Sequence, residues 1–341
     1  MFFRVKQKEN FKINRENYMS KVLSGMRPTG RLHLGHYFGV LMNWVKFQNE
    51  CECYYMSADW HVLTTSYVDT SAVNENTLEM VADWITAGVD PEKSVFFKQS
   101  GVLYHSELFL ILSMITPLSW LQRCPTYKEQ ISQIKNKDLS NYGFLGYPIL
   151  MSADILLYKA NIVPIGEDQL SHLELTRKIA RRFNNFYGDT FIEPKEELTK
   201  AASVPGLDGR KMSKSYGNSI LLGESDDILR DKVKSMFTDP LKIKTADPGH
   251  PCGCVVFAFH EIFGIEYKNR EEECKAGAIG CMSCKKQLME MLSEFMKPLT
   301  EKRKDLIADK AYLEKIVEAG CRKAAEIAQQ TMEEIRKAMK F

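Results

Sequence analysis

The stretch KVLSGMRPTGRLHLGH, residues 21–36, decides how the rest of the chain is read. Val22 and Leu23 open it as a short buried strand, residues 25–30 make a Gly/Pro-rich loop, and a helix starts near Leu32. Strand, glycine loop and helix in that order turn backbone N–H groups toward phosphate in α/β nucleotide-binding folds. His33 and His36 are three residues apart and so share one face of a helical turn. Gly35 between them removes a side chain where a flat base would have to approach. A dinucleotide loop would instead read G-x-G-x-x-G, which disfavours nicotinamide dinucleotide binding. Two surface histidines beside a loop glycine are the alternative this stretch alone leaves open.

Outward from that stretch, 341 residues lead us to expect two domains with ample core. Apolar residues at 44% and charged ones at 26% are ordinary for a globular chain and disfavour a disordered one. A formal charge of +2 gives no global field for nucleic acid, so any RNA contact must come from a local patch. No run of eighteen apolar residues occurs, so neither a membrane span nor a membrane partner is expected, and no DNA partner either. Residues 1–18 are polar and lack the apolar core of a secretory signal; they read as an extension ahead of a start near Met19. Nine cysteines in a chain expected to be cytoplasmic point to thiols or metal rather than disulfides.

Strand and helix patterns alternate through the first two thirds. Strands are expected at residues 22–23, up to Ala58, at 95–97 and at 162–164; helices at 34–47, 73–87, 105–115 and 149–158. That alternation predicts a doubly wound, parallel, Rossmann-like sheet. Asp59 and His61 follow a strand at its carboxyl end, where such sheets place ligands. Residues 117–147 break the rhythm and read as an insertion that lines a pocket or a dimer face. Asp154 sits among Leu150, Met151, Ile155 and Leu156, so it needs a partner if it faces inward and none if it faces water. Asp168 and Gln169 stand at a helix start, where capping alone accounts for an acid. Further on, Arg210, Lys211 and Lys214 cluster in a Gly/Ser/Asn-rich loop that is able to close on a polyphosphate or simply to be a solvated basic turn. From residue 226 to the end the pattern is all-helical, with an interruption near Pro298.

Five cysteines fall within residues 252–284: Cys252, Cys254, Cys274, Cys281 and Cys284. The C-x₂-C pair at 281 and 284, with Cys274 and one of Cys252 or Cys254, suits tetrahedral sulfur ligation of zinc or an iron–sulfur cluster. Cys51, Cys53, Cys124 and Cys321 lie apart and read as ordinary thiols.

HLGH at 33–36 and KMSKS at 211–215, in this order on this pattern, resemble the paired signatures of class I aminoacyl-tRNA synthetases. The stretch MSADILLYKANIVPIGEDQ at 151–169, with SGMRPTG at 24–30, is similar to bacterial tryptophanyl-tRNA synthetases, and the likeness covers nearly the whole chain from Val22. The resemblance implies a catalytic domain over residues 19–225, a tRNA anticodon-binding helical domain over 226–341, and aminoacylation through an aminoacyl-adenylate. It implies that Asp154 accepts the indole N–H of L-tryptophan, with Met151, Tyr147, His61, Gln169 and Val163 lining the pocket. ATP, carried with Mg²⁺, would be bound by Arg27, Pro28, Thr29, Gly35, His36, Gly166, Glu167, Asp168, Val204, Lys211, Met212, Ser213, Lys214 and Ser215. Lys128 is a lesser phosphate candidate, and Arg27 stands where some members carry glutamine. His33, His36, Lys211 and Lys214 would be the catalytic groups. Lys285, Lys286, Lys302, Arg303 and Lys304 are basic candidates for tRNA(Trp) phosphates, and a homodimer is implied. The cysteines resemble the subset of the family with a [4Fe–4S] cluster on Cys254, Cys274, Cys281 and Cys284; zinc, and Cys252 as a ligand, remain alternatives. A tyrosine-specific synthetase, a non-catalytic paralogue and a shorter HxGH adenylyltransferase are the competing readings.

Overall fold

A computed structural model describes residues 20–125, 127, 128, 131, 139–198, 204–264 and 267–341. The proposed extension at 1–18 lies outside the described residues, as does part of the 117–147 segment. The chain forms two compact units. Of the described residues, one unit holds 20–30, 44–198 and 309–341, and the other holds 31–43 and 204–308. This division differs from the expected boundary at 225/226, because residues 31–43 and 204–225 go with the helical unit and the C-terminal helix with the sheet.

The first unit is built on five parallel strands: β1 (Lys21–Met26), β2 (Glu52–Ser57), β3 (Ser94–Lys98), β4 (Ile162–Ile165) and β5 (Lys195–Leu198). Their order is β3-β2-β1-β4-β5, so the order reverses between β1 and β4, where this kind of sheet opens a crevice at its carboxyl edge. Val22 pairs with Cys53 on one side and Ile162 on the other. The inner strands are apolar on both faces because helices cover both; Tyr54, Tyr55, Phe96 and Phe97 are all buried. Trp44 stacks on Tyr55 at 4.0 Å and meets Trp84 edge-on at 5.1 Å. β5, KEEL, was not expected: it is a charged edge strand, and its composition reads as loop.

One helix starts well before its expected bound. Tyr142–Leu157 begins seven residues before the expected Ile149. Gly143, Gly146 and Pro148 disguise it as loop, yet Asn141 caps it by accepting from the Phe144 N–H at 2.9 Å. The last helix, Lys310–Met339, lies against β3. Gly320 permits this: a Cβ there would stand 1.7 Å from the Phe96 carbonyl oxygen.

The second unit holds the helices Asp226–Ser235, Val255–Phe263, Tyr267–Lys275 and Cys281–Ala308. The expected interruption near Pro298 does not occur. Pro298 is exposed, so the carbonyl it leaves unpaired faces water, and the helix continues to Ala308. Residues 34–41 join this unit as a helical turn, Leu34–His36, followed by a π-helical turn, Tyr37–Leu41. Tyr37 and Phe38 reach Phe295 at 5.4 and 6.0 Å, and Phe263 closes the aromatic group at 5.8 Å from Phe38.

Candidate active site

In the sheet unit the strands deliver side chains at their carboxyl ends. Asp154 shares one stripe of helix Tyr142–Leu157 with Tyr147 and Met151, at helical spacings of seven and three. Its carboxylate is buried, 2% exposed. Oδ1 accepts from Gln99 Nε2 and His105 Nδ1, each at 2.7 Å, and Oδ2 accepts from His61 Nε2 at 2.8 Å. Burial alone would push the Asp154 pKa up, but hydrogen bonds and charge from His105 and His61 outweigh it and hold the acid at about 2. The partner that the isolated acid required is therefore a set of nitrogen donors.

Two of these donors are themselves held in place. His105 Nε2 lies 2.8 Å from the Tyr158 hydroxyl. Gln99 rides on the turn after β3, which Asp59 clamps: its carboxylate accepts from the Ser100 N–H at 3.0 Å and from the Ser100 hydroxyl. Asp59, at the end of β2, thus braces the neighbouring turn. Tyr147 lies 3.0 Å from His172 Nε2, and His172 Nδ1 lies 3.5 Å from the Cys124 thiol. Burial pushes His172 down to about 4, so its ring is neutral near pH 7.

Gln99, His105, Tyr158 and His172 were missed by sequence reasoning. The signal for the first two was available: Gln99-Ser100-Gly101 ends a strand as Ala58-Asp59 does, and His105 follows it as His61 follows Asp59. Of the other expected pocket residues, Val163 is buried within β4, Met151 is half-buried, and Gln169 donates to Asp168 at 2.7 Å rather than to Asp154. Arg27 donates to the Thr65 hydroxyl. Pro28 and Thr29 follow β1, and Gly166, Glu167 and Asp168 follow β4, the two strands at the reversal. A Cβ at Gly166 would stand 2.6 Å from Asp168 Oδ1. Lys128 is exposed. An apolar cleft of about 530 Å³, lined by Trp60, Leu63, Tyr67, Phe109, Gly146 and Tyr147 among others, meets this constellation only at Tyr147.

In the second unit the two signatures meet. Leu34 N–H donates to Ile220 O and Leu222 N–H to Leu32 O, both at 2.9 Å, so HLGH is stitched to the segment that follows KMSKS. Lys214 Nζ donates to Arg31 O at 3.0 Å. Pro205 pairs with Lys211 and Met212 N–H reaches Val204 O at 3.4 Å, which seats buried Val204 behind the loop. Lys211 and Ser215 are exposed, Met212 is buried, and Ser213 is half-buried. Asn218, unremarked in the sequence, organises the loop. Its side chain accepts from Ser213 N–H at 2.8 Å and donates to Asp208 at 2.7 Å.

Burial, with Lys214 and Lys211 nearby, pushes His33 to about 4; burial, with His33 and the same lysines, pushes His36 to about 3. Both rings are neutral near pH 7, so they act as hydrogen-bonding groups and the lysines supply positive charge. A Cβ at Gly35 would stand 2.9 Å from the His33 ring, so that ring also calls for glycine here. His33 Nδ1 is buried with no hydrogen-bond partner among the described residues.

Cys254, Cys274, Cys281 and Cys284 line one narrow cavity of about 20 Å³ in this unit, together with Lys242, His250 and Arg270. Cys252 is exposed and is not on its wall. Among the described residues no three His, Cys, Asp or Glu side chains are gathered to hold a metal ion. Of the basic tRNA candidates, Lys286, Lys302 and Lys304 are exposed and Lys285 is tied to Lys234 O at 2.5 Å. Arg303 is buried against Gly223 and is withdrawn from that set.

The family model for class I tRNA synthetases (W and Y) matches residues 15–297, and the chain belongs to that family. It is 49% identical to the tryptophan–tRNA ligase of Thermotoga maritima, over 94% of this chain and 98% of the relative. With the tryptophan–tRNA ligase of Aquifex aeolicus it shares 44% identity over 94% of this chain and 99% of the relative. Among solved structures, the tryptophanyl-tRNA synthetase of Campylobacter jejuni complexed with ADP and tryptophan superposes with a TM-score of 0.86 at 35% identity, covering 94% of this chain and all of that one.

Proposed function

We propose that this chain joins L-tryptophan to tRNA(Trp) in two steps. A carboxylate oxygen of tryptophan attacks the α-phosphorus of ATP, the bond to the β-phosphate bridge breaks, and pyrophosphate leaves. The 3′-terminal ribose hydroxyl of tRNA then attacks the acyl carbon and AMP leaves. Such phosphoryl chemistry asks the protein for positioning and for stabilisation of charge on the leaving group. Lys211 and Lys214 supply that charge beside ATP, which arrives with Mg²⁺, and the neutral rings of His33 and His36 supply hydrogen bonds.

The observation that carries the choice of amino acid is the buried, ionised Asp154. An anionic acceptor in an apolar interior rewards a ring that carries N–H. It penalises phenylalanine, which would leave it unpaired; sites of this kind reject such analogues by roughly 10⁴-fold. Tryptophan-dependent ATP–pyrophosphate exchange, run beside tyrosine, tests it: exchange with tryptophan is expected, and exchange with tyrosine alone would overturn the assignment.

Three further features belong to the same reading. The four thiols on one cavity wall are read as ligands of a [4Fe–4S] cluster, with Cys254 rather than Cys252 as the fourth. Their soft sulfur chemistry, with Lys242 and Arg270 beside them to balance anionic sulfur, supports this. Anaerobically purified protein should carry about four iron atoms per chain and a broad visible band; one zinc and no colour would refute it. The chain is also read as a homodimer, since Leu103, Leu110, Met114 and Leu118 expose 55–74% of their surface along neighbouring helical segments. Lastly, no helix among the described residues is long and apolar enough to cross a membrane. The cytoplasm, where ATP and tRNA meet, is the place proposed for its work.

A further inference from the structure

A carboxylate has about four lone-pair sites. Among the described residues three donors reach Asp154: Gln99 and His105 on Oδ1, His61 on Oδ2. Oδ1 is thereby filled and Oδ2 retains one acceptor direction. The histidine on Oδ1 is fully buried, as is the tyrosine behind it. A carboxylate only accepts, so His105 Nδ1 carries a proton; in the neutral ring Nε2 is then bare and accepts from the Tyr158 hydroxyl at 2.8 Å. Without that hydroxyl, the proton could sit on Nε2 and turn the Nδ1 lone pair against the carboxylate.

We propose that Tyr158 and His105 are specificity-determining positioning residues: the phenol, donating to Nε2, reinforces the His105 tautomer that the carboxylate selects, and that ring fills Oδ1 of Asp154 and leaves Oδ2 as the acceptor for an indole N–H. This rests on the reading of Asp154 as the indole partner. It adds that the selectivity for N–H is set two residues away from the ligand, along a buried Tyr–His–Asp line running from Tyr158 on the end of its helix to the start of helix Tyr104–Ile115 and back.

The test compares tryptophan with 3-(benzothiophen-3-yl)-L-alanine, which has nearly the same shape and no N–H, by kcat/KM in ATP–pyrophosphate exchange. Tyr158→Phe is expected to lower kcat/KM for tryptophan about ten-fold, the worth of a hydrogen bond to a charged group. The value for the sulfur analogue and the KM for ATP should hold. His105→Asn places an amide donor near the Nδ1 position with no tautomer to choose, so it should keep the preference for tryptophan to within about three-fold. Adding Tyr158→Phe to it should change the preference little. Loosened selection should also move the acid limb of the tryptophan pH profile of Tyr158→Phe to higher pH, because Asp154 loses a donor. Equal losses for both substrates, or the same loss of preference with and without His105→Asn, would overturn the inference, and either comparison stands if one variant fails to fold. Asp154→Asn separates the two claims. If it keeps the preference intact, the Asp154 reading falls and takes this one with it. If it abolishes the preference while Tyr158→Phe leaves it untouched, only the role of the Tyr–His pair falls.

Discussion

Asp154 is kept ionised in an apolar interior by nitrogen donors, with no lysine or arginine among its hydrogen-bond partners in the described residues. The opposite pressure acts on the histidines. His33, His36 and His172 are held by burial at about 4, about 3 and about 4, against about 6.5 for a free side chain. The folded chain therefore resists protonation that the unfolded chain accepts. The stability tied to their neutral forms is whole above about pH 6.5 and is lost as pH falls from there to the folded values, at about 1.4 kcal/mol per pH unit for each histidine. Urea midpoints should hold from pH 7.5 to about 6.5 and then fall steadily to pH 5; a flat profile would show that these rings are already solvated. Asp154 takes no part in that window, since its pKa of about 2 lies below it. The same contrast explains what could be read from sequence at this scale. HLGH and KMSKS are visible because each packs its chemistry into five residues or fewer. Gln99, His105, Tyr158 and Asn218 belong to no short motif of their own, and only the fold gives each a partner 5 to 55 residues away.

At the scale of elements, the strands β1 to β4 were legible because buried parallel strands are continuous apolar runs. β5 was not, because an edge strand carries charge, and helix Tyr142–Leu157 lost its first turns to a sequence of glycines and proline. The C-terminal helix was legible as a helix but not as a layer of the sheet unit. A glycine inside a helix usually costs about 1 kcal/mol relative to alanine. Gly320 reverses that preference, since its missing Cβ is the space occupied by the Phe96 carbonyl, and Gly101 makes similar room for the Cys321 thiol. Gly320→Ala should raise intrinsic helix propensity yet destabilise the fold by about 2 kcal/mol or more, because strand backbone cannot give way as a flexible side chain can. Thermal melts beside Glu326→Ala, an exposed control in the same helix, check it; equal melting temperatures would show that the helix is not seated on β3.

For the molecule as a whole, the sequence anticipated two bodies but cut them in sequence order. Contacts instead return residues 309–341 to the sheet and assign 31–43 to the helical unit, so each body is assembled from separated stretches. Long-range packing of this kind leaves no mark in local composition. What remains on the outside carries the last expectation. Leu103, Leu110, Met114 and Leu118 are exposed, and the apolar cleft borders the same helix, Tyr104–Ile115, at Phe109. Scattered apolar residues on a surface are ordinary, but Leu110 and Met114 on one helix, with Leu103 and Leu118 just beyond its two ends and an apolar cleft beside it, suit the association surface proposed above. A second copy suits it best, since a two-fold contact needs only one self-complementary patch. Light scattering should then give twice the chain mass at micromolar concentration. Leu110→Asp with Met114→Asp should halve it by burying two unpaired carboxylates in the contact, and should leave the fold intact because both side chains face solvent in the single chain. A wild-type mass equal to one chain, or a double variant that stays dimeric, would move the interface elsewhere.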